Sequence, residues 1–289
     1  MQIIQSISAL RTLLKTQQSV AFVPTMGNLH AGHLHLVEIA KQKASCVVVS
    51  IFVNPLQFGP HEDLANYPRT LEADCEKLQQ LGADIVFTPS VTEMYPDFDG
   101  KHLNQTMTIT PPPIADALCG AARLGHFAGV ATVVMKLFNI VQPNCAIFGK
   151  KDFQQLFIIR ELVRQFNMPI TIIAGETMRE ASGLAMSSRN GYLSGADRSE
   201  APRLNKVLKL VVDAVQKAGE SISAEQFKTF EQQTADYLTQ LGWVVDYISI
   251  RSASSLLPAK PADTALIVLG AAKLGSTRLI DNIEFTRSS

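Results

Sequence analysis

Two histidines three residues apart, His30 and His33, lie in the segment Pro24-Thr25-Met26-Gly27-Asn28-Leu29-His30-Ala31-Gly32-His33, where an apolar run gives way to a helical pattern. Residues 19–23 read as a buried strand, and Leu34, Leu36, Val37, Ile39 and Ala40 supply the apolar face of a helix. A helix N-terminus, with its unpaired N–H groups and the positive end of its macrodipole, favours a phosphate at this join. Residues three apart on a helical turn share a face, so both rings can reach one bound group. Imidazolium can neutralise charge building on a departing phosphate oxygen, and its unperturbed pKa near ~6.5 keeps that form within reach at neutral pH. Two other readings stay open. The pair could be half of a zinc site, which would need one or two further ligands, or ordinary polar residues at a helix start.

Further polar groups fall after other apolar runs. Gly149-Lys150-Lys151-Asp152 ends one run and opens a helix, so Lys151 can meet a phosphate while Asp152 occupies the first turn. The alternative is a solvated loop with a capping Asp. It is not a P-loop, because the glycine spacing ahead of GK[ST] is missing. Ser187-Ser188-Arg189-Asn190 sets two hydroxyls beside a guanidinium, a group suited to phosphate oxygens or simply a turn with a surface arginine. Asn54 and Gln57 offer uncharged donors and acceptors for a small polar substrate, unless they only build a turn around Pro55. One of Gln154 and Gln155 can face a pocket, and local sequence does not say which. His126 precedes a long apolar helix and reads first as a structural residue, while Pro111-Pro112-Pro113 reads as a rigid extended linker.

The elements that must position these groups alternate. After the first strand and helix, residues 46–53 form a continuous apolar run typical of a strand covered on both faces. A helix over Leu71–Leu81, a strand at 84–87, a helix over 130–141, a strand at 145–148, a helix over 152–166 and a strand at 170–174 follow. This rhythm predicts an α/β fold, a mostly parallel sheet with helices on both sides, over residues 1–176. Ligands of such folds bind beyond the carboxyl ends of the strands, where the motifs above fall. From residue 177 to 289 the rhythm changes: helices over 197–217 and 224–241 precede three strands at 243–251, 265–271 and 278–285. Short connections favour antiparallel pairing and a smaller C-terminal α+β domain.

Composition narrows the class. Of 289 residues, 26 are basic and 26 acidic, a balance that argues against an extended nucleic-acid surface while allowing a local phosphate site. Scattered aromatics offer no base-stacking platform. The cysteines Cys46, Cys75, Cys119 and Cys145 show no CxxC pairing, and several lie in apolar runs, so buried free thiols are expected. No apolar run approaches the ~20 residues that span a bilayer, and the start lacks a signal-peptide pattern, so the expected location is the cytoplasm without membrane attachment.

With these segments in order, the chain closely resembles the pantoate–β-alanine ligase family along essentially its whole length. The resemblance rests on the 24–33 segment, Ile51-Phe52-Val53-Asn54-Pro55-Leu56-Gln57-Phe58, Tyr67-Pro68-Arg69-Thr70, Gly125-His126-Phe127, Phe148-Gly149-Lys150-Lys151-Asp152-Phe153-Gln154-Gln155-Leu156 and Met186-Ser187-Ser188-Arg189-Asn190. It implies a Rossmann-like nucleotidyltransferase with HIGH-type motifs. The implied activity is condensation of pantoate with β-alanine through a pantoyl adenylate, with ATP as substrate and Mg2+ as its companion ion. Carried over by position, His30 and His33 stabilise ATP phosphates, with His33 the proton donor, and Lys151, Ser187, Ser188 and Arg189 stabilise the transition state. The ATP site comprises Met26, Gly27, Asn28, Leu29, His30, Ala31, Gly32, His33, Gly149, Lys150, Lys151, Asp152, Met178, Met186, Ser187, Ser188 and Arg189. Met26, Asn54, Gln57 and Gln155 bind pantoate, and Gln57 also β-alanine. No residue is assigned to metal. The resemblance further implies a homodimer and a C-terminal lid domain. Two departures stand out: the family often has Glu where Lys150 stands, and proline where Leu124 precedes Gly125. The competing readings are another HIGH-type nucleotidyltransferase and a non-catalytic nucleotide-binding protein that keeps the fold.

Overall fold

The apolar, β-branched runs of the first half pair side by side in one direction, as strands buried on both faces do. The structure is a computed structural model that describes residues 1–59, 64 and 67–287. In chain order the elements of the first half are β1 (Gln2–Ile4), α1 (Ile7–Leu14), β2 (Val20–Thr25), α2 (Ala31–Lys41), β3 (Cys46–Ile51), α3 (Leu71–Leu81), β4 (Ile85–Phe87), α4 (Val91–Met94), α5 (His126–Val141), β5 (Cys145–Gly149), α6 (Phe153–Gln165) and β6 (Thr171–Gly175). The sheet has six strands in the order β1-β4-β3-β2-β5-β6, all paired parallel. From β2 the chain builds outward through β3 and β4, then returns to place β5 and β6 on the other side. The strand order therefore reverses between β2 and β5, and the crevice beyond Thr25 and Gly149 is where such sheets take ligands. Ala21, Val23, Val47, Val49 and Ile147 pack with Leu36, Val37 and Ala40 of α2 and Leu78 of α3 in one core.

The chain divides into two compact units, Met1–Lys150 with Gln154–Glu176, and Lys151–Phe153 with Thr177–Ser289. The second unit carries α7 (Gly195–Glu200), α8 (Arg203–Ala218), α9 (Ala224–Gln240), β7 (Val244–Ser252), β8 (Ala265–Leu274) and β9 (Thr277–Thr286). Its three strands are antiparallel in the order β7-β8-β9. Leu204, Leu208, Val211 and Val215 of α8 pack on Ile248, Ile250, Leu266 and Val268 of this sheet, with Trp243 sealed among them.

The α/β reading with a smaller α+β part holds, and the differences are local. The edge strand β1 and helix α1 have no counterpart in the pattern above: three residues are too few to show a period, whereas α1 does carry apolar residues at helical spacing, Ile7, Leu10, Leu13 and Leu14. The helix expected over 197–217 is two helices, since Pro202 has no N–H to continue the hydrogen-bond ladder, although Ala201 and Pro202 both keep helical backbone angles. Helix α5 begins at His126 rather than near Val130, with Gly125 at its N-cap in the left-handed region at φ 78°. Pro113 opens a 3-10 turn, Pro113–Asp116, after an extended Pro112. Cys46, Cys75 and Cys145 are buried free thiols and Cys119 is half-buried.

Candidate functional site

The first unit holds the histidine pair. Strand β2 ends at Thr25, whose hydroxyl donates to Ser50 O at 2.8 Å and receives the Gly27 N–H at 3.2 Å, tying the turn to β3. Gly27 and Asn28 then take φ of 84° and 53°, a left-handed pair that turns the chain into α2. His30 caps that helix: its Nδ1 accepts the Gly32 N–H at 3.1 Å, and its own N–H points to His33 Nδ1 at 3.4 Å. The ring centroids lie 4.1 Å apart, with the ring planes tilted by 40°. A nitrogen that accepts carries no proton, so this network assigns each neutral ring its proton on Nε2. The two imidazoles thus share one face as donors. His35, two residues on, instead meets Glu38 at 3.3 Å.

Asn54, Gln57 and Met26 are drawn together by direct contacts. Asn54 caps the 3-10 turn Pro55–Gln57, accepting the Leu56 N–H at 3.3 Å. Its amide donates to Gln57 Oε1 at 3.1 Å and Gly129 O at 3.2 Å, while its Oδ1 accepts the Tyr95 hydroxyl at 2.5 Å. Gln57 Nε2 in turn reaches Met26 Sδ at 2.9 Å. Burial pushes the Tyr95 phenol well up from its ordinary value, so it stays a donor. Lys136 Nζ lies 5.0 Å from the Tyr95 ring centroid, and burial lowers its pKa. His126 joins the same assembly. Its Nε2 accepts from Arg123 at 2.9 Å, so Nδ1–H donates to Gln57 O at 2.8 Å and fixes that backbone.

The two glutamines of α6 separate cleanly. Gln154 is buried and donates to Ile114 O and Ala117 O at 2.7 and 2.8 Å while accepting the Cys119 N–H at 3.0 Å, a purely structural commitment. Gln155 is half-buried on the next position. Gly149 closes β5 in register with Gly175 of β6. The Lys150 ammonium is 2.6 Å from Glu176, so the charge introduced where the family often has Glu is met locally.

The second unit carries the remaining groups. Lys151 lies 3.7 Å from Asp152, and its carbonyl accepts from Asn282 Nδ2 of β9 at 2.8 Å. Met186 N–H donates to Met178 O at 2.9 Å beside the Arg179–Ala185 bridge, pinning two of the residues assigned to ATP to each other. Ser187 caps the 3-10 turn Ser188–Tyr192, its Oγ accepting the Arg189 N–H at 3.2 Å. Ser188 is half-buried and Arg189 exposed. The buried Asn190 braces the turn through Glu180 Oε1 at 3.0 Å and Ala185 O at 3.1 Å. Asp281 holds Arg179 through two bonds of 2.6 and 2.9 Å and accepts from Asn205 at 3.0 Å. The supporting residues Asp281, Asn282 and Tyr95, with Asp74, whose carboxylate takes the Asn28 and Leu29 N–H groups, were not visible as such in the sequence. Only Asp74 left a signal, a carboxylate four residues before Leu78 on an apolar helix face.

Among the described residues no group of three or more His, Cys, Asp and Glu side chains converges as a metal site. No helix among them is long and apolar enough to cross a membrane.

Comparison with known proteins adds a family. A family profile described as pantoate-beta-alanine ligase matches residues 2–284. The chain is 68% identical to a pantothenate synthetase of Methylobacillus flagellatus, covering 99% of each. It is 52% identical to one of Thiobacillus denitrificans over 100% of this chain and 99% of that protein. Among solved structures, pantothenate synthetase from Thermus thermophilus superposes with a TM-score of 0.85 at 40% identity, covering 98% of this chain and 99% of that one. A pantoate-beta-alanine ligase from Francisella tularensis, solved with beta-gamma ATP and beta-alanine, gives 0.73 at 33% identity over 98% and 97%.

Proposed function

Because the chain belongs to the pantoate–β-alanine ligase family, we propose that it condenses pantoate with β-alanine at the expense of ATP, releasing pantothenate, AMP and pyrophosphate. A carboxylate is a poor acyl donor, and converting it to an acyl adenylate supplies a leaving group. In the first stage a pantoate carboxylate oxygen attacks the α-phosphorus and the bond to pyrophosphate breaks. In the second the β-alanine amine attacks the acyl carbon, and AMP departs with the former carboxylate oxygen.

The observation that carries this chemistry is the imidazole pair, two Nε2–H donors on one face at the N-terminus of α2. Charge accumulates on the departing pyrophosphate oxygen, and donors already oriented there stabilise it without reorganisation. His33 donates its Nε2–H to that oxygen in a hydrogen bond, keeping the proton, and His30 gives a second bond. Lys151, Ser187, Ser188 and Arg189 hold the phosphates, with Met26–His33 backbone, Gly149, Lys150, Asp152, Met178 and Met186 completing the nucleotide site. Met26, Asn54, Gln57 and Gln155 receive pantoate, and Gln57 also orients β-alanine. The linked contacts of Met26, Asn54 and Gln57 support this assignment. Mg2+ is assigned to the ATP phosphates, where it neutralises charge, and not to protein side chains. The proposal gives residues 1–176 nucleotide and pantoate binding and residues 177–289 a lid role, in a cytoplasmic homodimer.

Purified protein is expected to form pantothenate and AMP in equal amounts only when pantoate, β-alanine, ATP and Mg2+ are all present. ATP binding without pantothenate formation contradicts the proposal and favours the non-catalytic alternative.

A further inference from the structure

Asp74 of α3 has no exposed surface, and nothing in the reaction above asks it to touch a substrate. Its carboxylate is nonetheless fully engaged with the turn that precedes the histidines. Oδ2 accepts the Asn28 N–H at 2.7 Å and the Thr70 hydroxyl at 3.0 Å, and Oδ1 accepts the Leu29 N–H at 2.8 Å. Lys77, one turn along the same helix, lies 3.8 Å from Oδ1 and donates to Leu29 O at 2.8 Å. Residue 29 is therefore held from both sides of its backbone, N–H by Asp74 and C=O by Lys77. A buried carboxylate is tolerated when its lone pairs are met this way, and charge-assisted bonds to backbone N–H groups are among the stronger ones.

The turn needs such a clamp. Gly27 and Asn28 both sit at positive φ, which for asparagine is a conformation that must be held in place. A Cβ on Gly27 would lie 3.2 Å from Asp74 Oδ2 and 3.1 Å from Ile51 Cγ2, so the turn is seated closely on the carboxylate. The next peptide is the one that matters for chemistry. The His30 N–H, directly after the clamped Leu29, is the group that points to His33 Nδ1, and the His30 ring takes the Gly32 N–H. Rotation of residues 28–29 would withdraw that N–H and release the His33 ring from the tautomer that carries the proton on Nε2.

We infer that Asp74 is a positioning residue for adenylation, which holds the 27–29 turn and through it the tautomer and aim of His33. The inference rests on the adenylate reading for its kinetic consequence, but not for its structural one. Asp74→Asn keeps the shape and turns one acceptor into an NH2 donor facing a backbone N–H. The expected result in pantoate-dependent ATP–pyrophosphate exchange is a kcat at least ~30-fold lower with the pantoate KM within ~3-fold, the pattern of misplaced transition-state donors. Because Asp74 acts through the His33 ring, Asp74→Asn with His33→Ala should be no more than ~3-fold slower than His33→Ala alone, whereas independent effects would multiply.

Imidazole 15N shifts give a readout that does not depend on turnover. In the unaltered protein both Nδ1 atoms should be unprotonated acceptors, and in Asp74→Asn the His33 tautomers should mix while His30, held by the Gly32 N–H, keeps its own. Lys77→Met changes a partly exposed side chain, so it tests the same clamp if Asp74→Asn does not fold; a kcat loss of ~3–10-fold and a smaller shift change are expected. A folded Asp74→Asn, or in its absence Lys77→Met, with unaltered kcat and unaltered ring shifts overturns the inference. If the unaltered protein shows no exchange at all, the adenylate reading fails and the ring shifts alone decide the role of Asp74.

Discussion

Gly129 of α5 sits against the turn that carries Asn54 and Gln57, and Gly129→Ala tests whether that turn sets the pantoate site. A Cβ at residue 129 would lie 2.3 Å from Leu56 O, 2.6 Å from Leu56 C and 2.7 Å from Gln57 Cα. All three atoms are backbone, so no side chain can rotate aside. Comfortable carbon contacts begin near ~3.5 Å, which means helix and turn must part by roughly 1 Å. The Asn54 amide bond to Gly129 O and the His126 bond to Gln57 O, now 3.2 and 2.8 Å, would both stretch. Overpacking of this kind costs about 1–3 kcal/mol, a fall in Tm of about 2–12 °C for a chain of this size. Catalysis should suffer more, because about 1 Å of misplacement in a positioning group can cost ~100-fold in rate, or about 2.7 kcal/mol. The assay is pantothenate formation with ATP and β-alanine saturating and pantoate varied, beside a thermal melt. The expected outcome is a folded variant with kcat/KM for pantoate lowered ~100-fold. A folded Gly129→Ala within ~3-fold of the unaltered enzyme would refute the reasoning, since Gln57 could then move without consequence.

His33→Ala and Lys151→Ala should each lower turnover by at least ~100-fold if each stabilises charge in the transition state, and a near-normal rate in steady-state assays would remove that role from the residue concerned. In the second unit, burial pushes the Glu231 carboxyl up from its ordinary value, against the smaller opposing effects of the Ile250 N–H and Arg251. A raised folded pKa means stability that is full below the ordinary carboxylate range and falls as pH rises through the raised value. Glu231→Gln keeps an acceptor for the Ile250 N–H, now bonded at 2.6 Å, and removes the titration. Its Tm relative to the unaltered protein should therefore improve as pH rises above the ordinary carboxylate range, and a pH-independent difference would contradict this sign.

The fold was readable because its strands are continuous apolar runs and its helices carry apolar stripes, patterns that survive without knowledge of the partner. Pro202 was equally visible, yet its effect was missed because the apolar stripe runs on across it. Of the site, the groups that would touch substrate were legible as polar clusters at strand ends: His30, His33, Gln57, Lys151 and Arg189. Their supports were not. Asp74 meets Asn28 and Leu29 from 46 and 45 residues away, and Asn282 meets Lys151 from 131, so no local spacing joins them. The pair Gln154 and Gln155 shows the same limit, since only the 114–119 segment folding back on α6 decides which of them is structural.

The central claim, that pantoate is activated as an adenylate by attack on the α-phosphorus, is tested most directly by following the carboxylate oxygen. Pantoate labelled with 18O in its carboxylate would be turned over with ATP and β-alanine, and the products resolved by 31P NMR or mass spectrometry. The account predicts one 18O in AMP and none in pyrophosphate. Label in inorganic phosphate with ADP as coproduct would contradict it, as would AMP free of label.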